Sequence, residues 1–340
     1  MTFQAKPFGS SPAPLMYVAK YENDGWDNGT IEPFTDLVLS PFAMCFHYGQ
    51  TVFEGLKAYR SADDQILVFR QQENFLRMNK SLERMAMPTL PQKLWEEGIL
   101  SLISNLRDEV PPHGEGSLYI RPFAIATQPK LGVELSDEYL FLVTACQVGA
   151  YYDKNLKVKV EKEFTRAAPG GAGSAKCGGN YGSAFYPFKK AKAEGFDQIL
   201  WTDSKSHEFF EESGTMNFGF FIEDTFITPP ASDTILDGIT RKSIIELARD
   251  KGYKIEVRPF SVTELKESFS KGLKIEAFGL GTAAVIAPFE SISIDGINYA
   301  CYCAPDAQMF TLKNELKGIQ EGKVFDKHGW NTIVEKFVEA

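Results

Sequence analysis

Lys176 is the residue with the greatest chemical leverage in this chain, a single long amine in the run Gly170-Gly171-Ala172-Gly173-Ser174-Ala175-Lys176-Cys177-Gly178-Gly179-Asn180-Tyr181. Neighbours with almost no side chain let a carbonyl compound approach the amine closely, and an amine taken out of water loses its proton and becomes a nucleophile. The segment therefore offers a Schiff-base lysine, and it reads equally as a solvated turn. It does not read as a nucleotide loop, because a P-loop needs glycine before the lysine and Ser or Thr after it, where this chain has Ala175 and Cys177. No G-x-G-x-x-G opens a strand-turn-helix unit elsewhere, so ATP and NAD sites are not expected.

A lysine-bound aldehyde cofactor is typified by pyridoxal phosphate, which also asks for a carboxylate facing its pyridine nitrogen and for an anion cradle. Glu211-Glu212-Ser213-Gly214-Thr215-Met216-Asn217 supplies the carboxylate, with a pair of surface glutamates as the alternative. The cradle is met by the amides of Ile239 and Thr240 at a helix start, the hydroxyl of Thr282 and the guanidinium of Arg70, since a helix N-terminus plus an arginine matches a phosphate dianion. Thr240 as a plain helix cap and Arg70 as a solvated strand end are the alternatives.

The elements that must hold these groups alternate between strand and helix patterns. Ile66 to Phe69 reads as a strand, Glu73 to Met87 as a helix ended by Pro88, Gln92 to Leu106 as a second helix, and Ser117 to Ala126 and Tyr139 to Val148 as strands. Gly149 to Asn155 reads as a linker. Beyond it come a strand over Lys157 to Phe164, a helix capped by Asn180 and running to about Glu194, and a strand over Ile199 to Thr202. Two strands around a turn at Glu223-Asp224 then fill Glu212 to Thr228. A helix follows Thr240, with Ile244, Ile245, Leu247 and Ala248 on one face and Gly252 as its stop. Phe278 to Ala284 is a small-residue loop leaving a strand, suited to an anion. Without regular strand-helix alternation the pattern favours an α+β fold of two domains, a smaller N-terminal one at 1–147, a linker at 148–158 and a larger cofactor-binding one at 159–340.

At 340 residues the chain buries roughly three quarters of its unfolded surface without staples. A formal net charge of -9 argues against a sequence-independent grip on nucleic acid. Met1 to Pro14 lacks the apolar core of a secretory signal, and the uncharged stretch Tyr139 to Tyr152 falls short of the roughly 20 apolar residues that cross a bilayer, so a cytoplasmic chain is expected. The five cysteines, at 45, 146, 177, 301 and 303, are then reduced thiols, Cys301-x-Cys303 lacks the further ligands of a zinc site, and Asn28-Gly29-Thr30 is a turn.

In order and wording these segments resemble the fold-type IV aminotransferases, specifically the branched-chain amino-acid aminotransferases. The resemblance runs from Phe46-His47-Tyr48-Gly49 and Phe53-Glu54-Gly55-Leu56-Lys57-Ala58-Tyr59 through Ser117-Leu118-Tyr119-Ile120-Arg121-Pro122 and Val148-Gly149-Ala150-Tyr151. It continues with Lys176 to Tyr181, Glu212 to Asn217, Gly238-Ile239-Thr240-Arg241 and Gly281-Thr282-Ala283-Ala284. It implies that Lys176 is the Schiff-base lysine and proton shuttle, Glu212 the partner of the pyridine nitrogen, Tyr181 the partner of the phenolic oxygen, and Arg70, Ile239, Thr240 and Thr282 the phosphate site. The implied substrate wall is Tyr48, Phe53, Tyr119 and Thr215, with Arg121 for a distal carboxylate and Thr282 with the Ala283 amide for the α-carboxylate. The resemblance further implies that Leu131 and Val133 reach a partner subunit's pocket in a homodimer or higher homo-oligomer.

The implied reaction is ping-pong transamination between leucine, isoleucine or valine and 2-oxoglutarate. A D-amino-acid aminotransferase or aminodeoxychorismate lyase of the same fold is the near alternative, and a non-catalytic small-molecule binding protein the distant one. Two positions depart from the family, Ser213 where valine or alanine is common and Gly219 where an aromatic is frequent. Ala284 and Ala287 stand where mammalian relatives carry a C-x-x-C redox pair, so thiol control is not expected.

Overall fold

The computed structural model describes residues 8–149 and 154–336. The chain divides into two compact units, the first formed by Met1–Tyr151, Ala175–Gly179 and Gly318–Ala340, the second by Tyr152–Ser174 and Asn180–Lys317. The cut expected at residues 147 to 159 passes once from one domain to the other, whereas here the chain revisits the first unit twice. Residues 150–153 of the expected linker, and the first seven residues, lie outside the described residues.

In the first unit a sheet runs in the order Asn331–Val334, Ile66–Phe69, Leu56–Arg60, Ser117–Ala126, Tyr139–Val148, Leu15–Glu22, Gly25–Trp26. Thr30–Pro33 joins Leu15–Glu22, and Thr51–Phe53 joins Ser117–Ala126. Every pairing is antiparallel. The two ten-residue strands Ser117–Ala126 and Tyr139–Val148 pair along their full length, as their β-branched and aromatic content favours. Tyr119 and Arg121 sit two residues apart and so share a sheet face. Trp95 and Phe141, both fully buried, stack with centroids 6.4 Å apart and anchor the core of this unit.

The second unit carries a mixed sheet in the order Phe210–Ser213, Gln198–Thr202, Leu156–Glu161, Val285–Ile294, Ile275–Gly281, Asn217–Ile222, Thr225–Thr228, Lys254–Val257, with Ile297–Ala300 beside Val285–Ile294. Gln198–Thr202 and Val285–Ile294 both run parallel to Leu156–Glu161, and Lys254–Val257 runs parallel to Thr225–Thr228. Phe210, Phe218, Phe220, Phe260 and Phe289, all at most 1% exposed, form the centre of its core. Each such ring contributes about 1.5–3 kcal/mol by leaving water. The α+β expectation holds.

Several expected elements change. The first helix is Gln71–Arg84 rather than 73–87, because Ala86 takes a left-handed φ of 52° two residues ahead of Pro88. The second is broken into Gln92–Glu96, a wider π turn at Glu97–Ser101 and Leu102–Asn105. Gly98 lies in the wide turn, where a Cβ would stand 3.0 Å from the Tyr17 ring. The strand expected over Lys157 to Phe164 is Leu156–Glu161. Asn180 is not a cap. It lies inside the short helix Gly179–Gly182 and donates from Nδ2 to the Ala172 carbonyl at 2.8 Å, and a separate helix, Phe185–Ala193, follows. Glu212 lies on its own strand, Phe210–Ser213, cut from Asn217–Ile222 by a tight turn in which Gly214 has φ +55°. The loop expected over Phe278 to Ala284 shrinks to Thr282-Ala283-Ala284, since the strand continues through Gly281. The helix Ile239–Asp250 and its stop at Gly252, φ +75°, stand as expected.

Candidate active site

Of the sequence-derived site residues, Tyr48, Phe53, Arg70, Tyr119, Arg121, Leu131, Val133 and Lys176 belong to the first unit, and Tyr181, Glu212, Thr215, Ile239, Thr240, Thr282 and Ala283 to the second.

In the first unit the lysine segment lies along the short strand Thr51–Phe53 rather than in a solvated turn. The Phe53 amide donates to the Lys176 carbonyl at 3.0 Å, and the Gly178 amide to the Thr51 carbonyl at 3.1 Å. The Lys176 amide itself donates to Ser81 Oγ at 2.9 Å. A Cβ on Gly178 would stand 2.4 Å from Thr51 Oγ1, so this close approach excludes a side chain there. The backbone of the half-buried Lys176 is thus tied on both sides.

Lys176 Nζ lies 4.8 Å from the centre of the Phe53 ring, and the Arg121 guanidinium carbon lies 4.7 Å from the same ring. Among the described residues Arg121 makes no ion pair. It donates to the Tyr119 hydroxyl at 2.9 Å and lies 5.3 Å from that ring, while its buried Nε has no hydrogen-bond partner among the described residues. Tyr119 is buried and meets Phe8 edge-on at 4.9 Å. Glu54, next to Phe53 in the chain and fully buried, accepts from Arg77 Nε at 2.7 Å, Arg77 Nη2 at 2.8 Å and Asn74 at 2.8 Å. Burial alone pushes the Glu54 carboxyl up, but Arg77, Lys176 and Asn74 together hold it below its ordinary value.

Tyr48 donates its hydroxyl to the Leu131 carbonyl, and Leu131 and Val133 are 48% and 88% exposed. Arg70 follows the strand Ile66–Phe69 in a left-handed conformation, φ 49° and ψ 38°. Its guanidinium pairs with Glu73 and stacks on Trp330, 4.8 Å from the ring centre.

In the second unit Glu211 and Glu212 are both buried, which overturns the surface-pair alternative. Glu212 Oε1 accepts from the Leu236 amide at 2.7 Å, and Oε2 lies 3.3 Å from Arg166 Nε, with both side chains under 8% exposed. The arginine contact is off-line for a hydrogen bond and acts through charge. Arg166 also donates to the carbonyls of Gly173, at 2.9 Å, and Thr234. Three residues past Leu236 begins the helix Ile239–Asp250, so the segment that binds Glu212 also delivers the helix N-terminus carrying Ile239 and Thr240, both buried. Its N-cap is Gly238, where a Cβ would fall 1.7 Å from Asn217 Oδ1.

Thr282 and Ala283 form the turn between paired strands, Gly281 opposite Val285. Val285 holds φ +61°, a region β-branched residues rarely adopt, so this turn stores backbone strain. Met216 fills the space above Gly279 and Gly281, with its Cε 2.6 Å from where a Gly279 Cβ would be, which couples the Thr215 turn to the Thr282 turn. Thr215 itself is exposed, and Tyr181 sits in the short helix Gly179–Gly182. Both family departures have structural reasons. Ser213 is fully buried and donates to the Ile199 carbonyl at 3.2 Å, and at Gly219 a Cβ would press into Phe226 at 2.4 Å.

Residues 51–292 match the Amino-transferase class IV family. The chain belongs to the class IV aminotransferases. Among curated relatives, the branched-chain-amino-acid transaminase 1 of Bacillus subtilis is 40% identical over 336 residues, 96% of this chain and 94% of its own length. A probable branched-chain-amino-acid aminotransferase of Staphylococcus aureus is 42% identical over 330 residues, 94% of this chain and 92% of its own. Among solved structures, the branched-chain amino acid aminotransferase of Escherichia coli superposes with a TM-score of 0.75 at 26% identity, covering 94% of this chain and 99% of its own. A T.th. branched-chain amino acid aminotransferase with pyridoxamine 5'-phosphate superposes with a TM-score of 0.77, also at 26% identity, covering 98% of this chain and all of its own. In this class IV aminotransferase, sequence reasoning missed several residues that hold candidate groups within their own unit. Arg166, Glu54, Ser81 and Trp330 carry no local signal, because each acts through a partner 20 or more positions away.

Proposed function

We propose that this class IV aminotransferase exchanges the amino group between branched-chain L-amino acids and 2-oxoglutarate with pyridoxal phosphate as cofactor. The carrying observation is the Phe53 ring with the Lys176 amine and the Arg121 guanidinium both within 5 Å of it. An amine, an apolar face and a cation gathered at one ring suit a substrate pair in which one member ends in an aliphatic branch and the other in a carboxylate.

The donor set fits the cofactor. A primary amine is fixed by its backbone, a buried carboxylate is held by an arginine and an amide, and a glycine-capped helix start offers free amides beside buried threonine. Lys176 would hold the aldehyde, Glu212 the pyridine nitrogen and Tyr181 the phenolic oxygen, with Arg70, Ile239, Thr240 and Thr282 at the phosphate. The chemistry supplied by the bound cofactor is an electrophilic aldehyde and a ring that takes up an electron pair.

Lys176 Nζ would anchor the cofactor and, as a free amine, would take a proton from the substrate α-carbon and give one back, so the same atom would serve as anchor and base. Glu212, with Arg166 3.3 Å away, would face the ring nitrogen of the bound cofactor and favour its protonated form. Phe53, Tyr119 and Tyr48 exclude water around an aliphatic side chain, with Thr215 at its edge, while Arg121 meets the distal carboxylate of glutamate. Thr282 and the Ala283 amide take the α-carboxylate.

A cytoplasmic homodimer completes the reading. The five unpaired thiols suit a reducing compartment, and Leu131, Val133 and Leu135, all exposed, suit contact with a second copy. Among the described residues no helix is long and apolar enough to cross a membrane.

Borohydride reduction of the cofactor-loaded protein followed by peptide mapping should place the pyridoxyl mark on Lys176, and L-leucine with 2-oxoglutarate should yield glutamate. A mark on Lys57 or Lys205 refutes the site. Turnover of D-leucine or D-alanine alone refutes the substrate assignment and favours the D-amino-acid aminotransferase.

A further inference from the structure

We propose that Trp330 is a positioning residue for Arg70, so that the C-terminal strand sets the geometry with which the enzyme grips its cofactor's phosphate. The inference rests on the reading that Arg70 meets that phosphate. Three contacts carry it, all within the first unit. The Arg70 amide donates to the Trp330 carbonyl at 2.7 Å. The guanidinium lies 4.8 Å from the centre of the Trp330 indole. The strand Asn331–Val334 pairs with Ile66–Phe69 in the register Asn331 to Phe69 through Val334 to Ile66, which leaves Trp330 and Arg70 adjacent at the strand ends.

The indole is itself held on two more sides. His328 stacks on it with centroids 4.4 Å apart and 12° between planes, and Phe69 meets it edge-on at 5.6 Å. Asn331 is pinned in turn, its amide donating to Asp326 and its side chain to the Ile319 carbonyl, both at 2.7 Å. A ring fixed in this way presents a rigid π face to a cation.

Arg70 needs such support. It takes a left-handed backbone conformation, φ 49°, that a non-glycine residue adopts only where its surroundings over-determine it. Its long side chain has several rotatable bonds whose freedom is lost on binding an anion. Glu73 pairs with the guanidinium from the first turn of the following helix, and Trp330 fixes the plane. An arginine aligned before the ligand arrives loses less entropy on binding, and the gain reads out as phosphate affinity.

The test uses the full chain stripped of cofactor and titrated separately with pyridoxal phosphate and with pyridoxal, which lacks the phosphate. Trp330→Ala should weaken pyridoxal phosphate binding about three- to thirtyfold, the span of one partly buried cation–π contact, and leave pyridoxal binding within about twofold. Trp330→Phe, which keeps a π face, should recover most of the loss. Trp330→Leu, which keeps apolar bulk without that face, should not recover it, and carries the test if the alanine variant fails to fold. In an Arg70→Gln background the Trp330 substitution should add nothing. Equal weakening of both ligands, no weakening of either, or additive losses in the double variant would overturn the proposal. If Arg70→Gln leaves the preference for the phosphorylated ligand unchanged, the reading of Arg70 itself fails and takes the proposal with it.

Discussion

Glu211 offers a sharp test of how the carboxylate strand is held. It lies beside Glu212 on Phe210–Ser213, 6% exposed, with Oε2 lacking a hydrogen-bond partner among the described residues. Burial pushes its carboxyl up, the Thr234 hydroxyl and Arg166 pull it back, and Asp203 and Glu212 push it up again, leaving it at about 7 from an ordinary 4.5. The native state therefore binds this proton more tightly than the unfolded chain does. The linked stability is complete below pH 4.5, declines as pH rises, and is gone once pH passes about 7. At about 1.4 kcal/mol per unit the loss is at most about 3.5 kcal/mol, and retained hydration of the carboxyl brings it to about 1–3 kcal/mol.

Glu211→Gln is neutral at every pH and abolishes that slope. Urea unfolding of the cofactor-free variant and the parent should give a stability difference that moves in the variant's favour by about 1–3 kcal/mol between pH 5 and pH 8.5. Other titrating groups are common to both proteins and cancel in the difference. A difference that stays flat from pH 5 to 8.5, or that favours the parent as pH rises, would refute the assignment of Glu211 as the buried neutral carboxyl.

Two further outcomes follow from buried geometry. Glu54→Gln leaves Arg77, whose side chain is 11% exposed, without its countercharge and should cost about 3–5 kcal/mol in chemical denaturation, with Glu54→Gln combined with Arg77→Met recovering much of it. Since the Glu54 carboxyl is held low, its stabilisation is present above the ordinary carboxylate value and is lost as pH falls through the folded one. Gly219→Ala drives a methyl to 2.4 Å from Phe226 in a fully buried layer and should cost about 1–3 kcal/mol by the same measurement, relieved in part by Phe226→Leu.

The candidate groups could be picked out because their signals are local. A lysine among glycines, a carboxylate ahead of a small-residue turn, and a helix start after Leu236-Asp237-Gly238 each announce themselves within a few positions, as do strands such as Ser117–Ala126 whose side chains alternate across two faces. Misreadings gathered where a distant contact overrides local preference. The π turn at Glu97–Ser101 accommodates Tyr17, Asn180 turned from capping to bonding Ala172, and Ala86 stopped a helix ahead of the proline that should have ended it.

The chain by itself offered an amine, a carboxylate and anion-binding amides, each with a plain structural alternative, and it was the resemblance carried by the order of those segments that named the chemistry. What they touch is another matter. That Arg166 lies against Glu212, that Glu54 is locked to Arg77, and that Trp330 returns across 260 positions to Arg70 depend on strand register and on which side chains are denied water. Those are properties of packing, set by contacts far apart in the chain, and no window of neighbouring residues contains them.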